Sequence, residues 1–299
     1  MVRYHSQGFS AKEEHREITT TFLIMPLYQA ILLGIIQGFT EFLPVSSTAH
    51  LTLIPRLLNW TDPGLSFDIA LHVGTLAAIF IYFFQDWVQV IANGLGFSYR
   101  GTNPDENSRK LLWFLIVGTI PAAVVGAKFN KYAEGPWRNF VVIGIAMIVI
   151  GIVMGLADRF YEKKDGLDQM SWTDALTVGL AQAIALIPGV SRSGITISAA
   201  RFRFLDREAS ARFSFLLSAP IIAGAASKDA LDLHKNGGLP HAMVLPWIVG
   251  ILVSGFVGIL VIAFFLKYLR NNSLAVFVWY RIIFGIIVVA LAVFFRIGG

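Results

Sequence analysis

A carboxylate, several hydroxyls and an imidazole crowd into one short, otherwise apolar stretch, Gln37-Gly-Phe-Thr-Glu41-Phe-Leu-Pro44-Val-Ser46-Ser47-Thr48-Ala-His50. Gln37 and Glu41 are four residues apart and share one helical face, while Ser47 and His50 are three apart and share a face of the next helix. Pro44 ends the first helix between them. A hydroxyl beside a base is the arrangement that activates a nucleophile, so the spacing predicts that Ser47 and His50 act as a unit. The competing reading makes Ser46 a helix cap and His50 a satisfied core histidine. Capping accounts for one serine and leaves Glu41 unexplained.

A second cluster reads Pro188-Gly-Val-Ser191-Arg192-Ser193-Gly-Ile-Thr196. Pro188-Gly189 breaks one helix, and Ser191 or Ser193 can cap the next. The orphan N–H groups of that helix start, its dipole and the forked guanidinium of Arg192 together suit a phosphate. The competing reading is an arginine snorkelling to an interface, against which its place at a helix break argues. A nucleophile, a base, a carboxylate and an anion clamp in one cavity suit phosphoryl transfer. Asp68 and His72, four apart on one helix, read either as supporting partners of such a site or as interfacial caps. Arg201, Arg203, Asp206, Arg207, Glu208 and Arg212 read as a headgroup-facing turn with local ion pairs.

The elements that hold these clusters belong in lipid. Of 299 residues 56% are hydrophobic and 14% charged, whereas soluble domains carry about a quarter charged residues. The net charge of +5 is spread over short polar stretches and forms no run suited to nucleic acid, and the absence of cysteine excludes disulfides and thiolate chemistry. Residues 1–25 read as a polar extension and 26–299 as one integral membrane domain; the apolar stretch from Phe22 lacks a signal-peptide cleavage pattern. Spans are expected over 111–129, 139–157, 244–266 and 274–296, with weaker ones over 67–84 and 211–226. The segments 26–43 with 47–58, and 174–187 with 193–204, are too short to cross and read as two re-entrant hairpins. The fold class is therefore all-α and polytopic, with about six spanning helices and two hairpins.

The hairpins resemble each other at an offset of 145: Ala30, Gly34, Gln37, Val45 and Ser46 fall on Ala175, Gly179, Gln182, Val190 and Ser191. Phe67 and Leu71 are echoed by Phe213 and Leu217. Repeat halves of about 26–157 and 171–299 with three spans each predict an inverted-topology repeat whose hairpin tips share one site. Arg and Lys are equally numerous in the loops 98–110, 128–138 and 159–164, so loop charge leaves the orientation open.

At these residues the chain resembles the undecaprenyl-diphosphate phosphatase family, also called bacitracin-resistance proteins, over nearly all of 26–296. Glu41-Phe-Leu-Pro-Val-Ser-Ser-Thr-Ala-His50 is similar to the family's first signature and Pro188-Gly-Val-Ser-Arg-Ser-Gly194 to its second. The resemblance implies hydrolysis of undecaprenyl diphosphate to undecaprenyl phosphate and inorganic phosphate, recycling the carrier for peptidoglycan synthesis and conferring bacitracin resistance. It implies a bacterial cytoplasmic (inner) membrane location, a site facing the outer side, and a divalent cation, Mg²⁺ or Ca²⁺. Glu41 would be metal ligand or base, Ser47 nucleophile, His50 its base or acid and Arg192 the diphosphate clamp. Ser46, Thr48, Ser191, Ser193 and Thr196 would hold phosphate oxygens. Where the family often has a second glutamate this chain has Gln37, whose amide oxygen can still ligate but cannot act as a base. Partners are a polyprenyl diphosphate lipid and the bilayer, with a second copy of the chain as a candidate and no nucleic acid. The rival is a secondary transporter or flippase for an anion, since transporters also use inverted repeats with broken helices; transport has no use for a nucleophile beside a base.

Overall fold

The computed structural model describes residues 25–97, 106–135, 137–159 and 166–294. The expected N-terminal extension, Met25 excepted, lies outside them, as do residues 295–299. Eleven α-helices follow in order among the described residues: α1 Leu27–Phe42, α2 Ser47–Leu57, α3 Leu65–Tyr82, α4 Phe84–Gly94, α5 Glu106–Glu134, α6 Phe140–Arg159, α7 Trp172–Ile184, α8 Arg192–Phe202, α9 Arg207–Lys235, α10 His241–Leu269 and α11 Ala275–Phe294. Six of them, α3, α5, α6, α9, α10 and α11, are long and apolar enough to cross a membrane. These are the six expected spans. Helix α4 is not among the expected elements; it follows a bend at Phe83, buries Val90 and exposes Phe84 and Ile91.

The breaks have local causes. Leu43 precedes Pro44 and leaves the helical region at φ −68°, ψ 139°, because the proline ring crowds a helical residue before it. In the second hairpin α7 stops at Ile184, three residues short of the expected end. Its exit tightens into i→i−3 bonds, Ala185 N–H to Gln182 O, Leu186 N–H to Ala183 O and Ile187 N–H to Ile184 O, ahead of Pro188. Each short return helix has 11 residues, about 17 Å of rise, less than the roughly 30 Å thickness of a hydrocarbon core.

The repeat extends to the backbone. Helix starts at 27 and 47 recur at 172 and 192, and the left-handed residues Ser46 (φ 75°) and Asn59 (φ 52°) recur as Ser191 (φ 67°) and Phe204 (φ 68°), all at an offset of 145. Further on, α5 and α10 both have 29 residues, and α6 and α11 both have 20. The halves interlock: α1 packs on α10, α7 on α5, and α6 on α11. Gly144 and Gly285 face each other in the last pair, where a Cβ on either would meet the other's carbonyl oxygen at 2.8 and 2.7 Å. Only glycine permits that approach.

The hairpins enter from opposite ends of the bundle. Met25 and Trp60, which flank the first, pack with Phe67 and Met243 near the starts of α3 and α10. Asp174 and Arg203, which close the second at 2.6 Å, lie at the end where Arg207 meets Asp158 of α6 at 2.6 Å and Arg270 meets Glu208 at 2.8 Å. That second end gathers Arg159, Arg201, Arg203, Arg207, Arg212, Lys267 and Arg270. The three loops compared in the sequence omit most of this charge, because it sits on hairpin and helix ends that only the fold brings together.

Candidate active site

Both tips converge on Glu41, which is buried on the last turn of α1. Its Oε1 accepts from Arg192 Nη2, so a charge pair joins the first hairpin to the second. Three groups converge on Oε2: Gln37 Nε2 donates from 3.0 Å, Ser47 Oγ donates from 3.1 Å, and His72 Nε2 lies at 3.3 Å. Removing one partner of a buried ion pair costs about 3–5 kcal/mol, because the other charge is left uncompensated. The cluster is thus held by charge from two directions.

Ser46 and Ser191 each sit in the left-handed region and cap the following helix, Ser46 Oγ accepting from Ala49 N–H at 3.4 Å and Ser191 Oγ from Gly194 N–H at 3.2 Å. That backbone turn aims the next residue, Ser47 or Arg192, at Glu41. Thr196 is fully buried behind the clamp; its hydroxyl bonds Arg192 O at 2.7 Å and Ser214 Oγ at 2.6 Å. Ser193 Oγ donates to Leu43 O at 3.3 Å, tying the tips together. Thr48 lies on the exposed side of its turn. Of the expected site residues, the structure brings Glu41, Gln37, Ser47 and Arg192 into one cluster, whereas Ser46, Ser191, Ser193 and Thr196, expected to hold phosphate oxygens, make bonds that build the tips.

The expected Ser47–His50 pair is not formed. Ser47 turns to Glu41, whereas His50 Nδ1 lies 2.8 Å from Ser46 O and Nε2 lies 2.5 Å from Tyr280 Oη. The His50 ring lies nearly parallel to those of Phe284 and Tyr280, at centroid distances of 4.7 and 5.8 Å. A carbonyl oxygen only accepts, so Nδ1 carries the proton and Nε2 accepts from the tyrosine. Spacing of three placed both residues on one helix, but α11 supplies a better partner for the imidazole.

Sequence reasoning missed Arg281. It is fully buried, and all four of its hydrogen bonds go to carbonyls: Met147 (3.3 Å), Pro44 (3.2 Å), Gly189 and Val190 (2.9 Å each). One guanidinium thereby joins both tips to α6. The signal was a lone arginine inside the apolar run of α11. His72, weighed as a supporting partner or a cap, touches Glu41 directly.

A family model described as bacitracin resistance protein BacA matches residues 30–287, a range that contains both tips and every residue of the cluster. The chain belongs to the BacA family. Among its curated relatives, the undecaprenyl-diphosphatase of Moorella thermoacetica is 45% identical over 89% of this chain and 98% of its own length. The undecaprenyl-diphosphatase of Pelotomaculum thermopropionicum is 44% identical over 90% and 97%, and that of Thermomicrobium roseum 39% identical over 91% and 100%. BacA membership and the all-helical bundle agree with the family resemblance carried by the two motifs.

Proposed function

We propose that this protein is a multi-pass membrane enzyme that hydrolyses undecaprenyl diphosphate to undecaprenyl phosphate and inorganic phosphate. The observation that carries the reading is the convergence of Ser47 and Arg192, from opposite hairpins, on the single carboxylate of Glu41. Relatives named for that activity align with 89% and 90% of the chain.

In this reading Arg192 leaves Glu41 for the phosphate oxygens, which its fork matches. Glu41 then faces Ser47 with one oxygen freed. Ser47 Oγ attacks the terminal phosphorus, its proton passes to Glu41, and the bond to the bridging oxygen breaks to release the lipid monophosphate. Water then attacks the phosphoserine; Oγ recovers its proton from Glu41 and inorganic phosphate departs. Glu41, not His50, is the base, because it alone holds the Ser47 proton. His50 serves by fixing the first turn of α2 against α11.

Gln37 turns its Nε2 to Glu41, and its Oε1 is buried and without a hydrogen-bond partner. One carboxylate and one amide oxygen are the donor types that suit a hard divalent cation, Mg²⁺ or Ca²⁺. Glu41 and Gln37 would hold it, and it would neutralise charge on the phosphates. The cationic end of the bundle, by the positive-inside rule, supports placing that end in the cytoplasm of a bacterial inner membrane. His72 and the Asp68–Arg138 pair lead from Glu41 toward the other end, which supports access from the outer side.

The test is release of inorganic phosphate from a C55 polyprenyl diphosphate by purified protein in detergent with Mg²⁺ or Ca²⁺. No release with any divalent cation overturns the enzyme reading. Quenched turnover mixtures are expected to carry phosphate on Ser47 by mass spectrometry; phosphate on His50 would overturn the nucleophile alone.

A further inference from the structure

His72 belongs to neither hairpin and to neither signature motif, yet it closes the cluster from a third wall, α3. Its Nδ1 lies 2.7 Å from Asp68 O, which can only accept, so Nδ1 is the donor there. Its Nε2 lies 3.3 Å from a carboxylate oxygen, a contact that is favourable when Nε2 also presents a proton. The ring is therefore oriented from behind, with Nε2 turned into the cluster. Its side chain is 27% exposed, against 13% for Arg192 and 5% for Glu41, which makes it the most open of the three. Glu41 thus lies between two nitrogen-bearing side chains, Arg192 on Oε1 and His72 on Oε2.

We infer that His72 is a further phosphate-binding residue, a donor shared with Glu41 in the free protein and passed to a diphosphate oxygen when substrate enters. The inference rests on the diphosphate reading above. Arg192 would reach the anion from the second hairpin and His72 from α3, because the two approach Glu41 from its two oxygens. A third wall also explains why a tip-to-tip cluster needs a spanning helix beside it: the hairpins supply nucleophile and clamp, and α3 supplies the opposing contact.

The test compares wild type with His72→Leu, which removes the donor, and His72→Gln, which keeps an N–H on a different reach. The probe is a non-hydrolysable methylene analogue of a polyprenyl diphosphate, measured by equilibrium binding, alongside KM and kcat for the hydrolysable lipid. His72→Leu is expected to weaken analogue binding and raise KM roughly ten- to a hundredfold, the range for losing a hydrogen bond to a charged group. His72→Gln should recover part of both. If His72→Leu fails to fold, as judged by its thermal melt in detergent, His72→Asn takes its place, being too short to reach. Unchanged binding with only kcat reduced overturns the inference and makes His72 a support for Glu41; unchanged binding and turnover remove it from the site. Wild type that neither binds the analogue nor releases phosphate overturns the diphosphate reading itself, which keeps the two failures apart.

Discussion

The two hairpins share a backbone and differ in chemistry. Both break at a proline, both turn through a left-handed serine that caps an 11-residue return helix, and both carry a buried glutamine four residues before the position of Glu41. At an offset of 145, however, Glu41 becomes Leu186, Ser47 becomes Arg192 and His50 becomes Ile195. The first tip therefore holds carboxylate and hydroxyl while the second holds the cation. Two copies of one scaffold, entering from opposite ends, supply different parts of a single site. A symmetric pair of carboxylates facing each other there would repel, whereas the observed pair attracts.

The largest effect should come from the carboxylate found in only one hairpin. Glu41→Gln should lower kcat about a thousandfold or more, as should Ser47→Ala, and the double variant should lose little beyond the worse single change because the two act as a unit. Ser47→Ala with His50→Ala should instead multiply the separate losses, since those side chains bond in different directions. A Ser47–His50 pair that behaves as one unit in such a kinetic cycle would restore the dyad and break the asymmetry. Next in size, Arg192→Lys should cost about ten- to a hundredfold in kcat/KM, because an ammonium keeps the charge and loses the fork. Wild-type kinetics in that variant would move the clamp elsewhere.

The glutamines sharpen the comparison. Gln182 has both side-chain polar atoms buried without a partner, whereas Gln37 uses its Nε2 on Glu41. Gln182→Leu should be neutral or stabilise by about 1 kcal/mol in thermal melts without loss of turnover, while Gln37→Leu should impair activity. Gln37→Glu should remain active with a shifted divalent-cation titration, because it adds an anionic ligand beside Glu41. An unchanged titration would place Gln37 outside the metal shell. Smallest of all, Ser46→Gly and Ser191→Gly should each move stability by a few tenths of a kcal/mol, the lost cap being offset by relief of a left-handed backbone. Unequal melting shifts would show that the two turns are not equivalent.

The sequence by itself determined the spans, the breaks and the repeat, because each is written in local terms. Runs of about 20 apolar residues, prolines at Pro44 and Pro188, and matched residues at a fixed offset need no knowledge of distant neighbours. It also marked Glu41, Ser47 and Arg192, since polar residues inside apolar stretches are visible without coordinates. Partnership was decided by tertiary structure. Ser47 and His50 are neighbours on one helix, but the imidazole pairs with Tyr280, 230 residues away, and the hydroxyl with Glu41 across the break. Arg281 and His72 enter the site from helices with no motif of their own, placed there by the packing of α11 and α3. Helical spacing limits which side chains share a face; which of them then bond depends on the wall that packs opposite, and that wall comes from elsewhere in the chain.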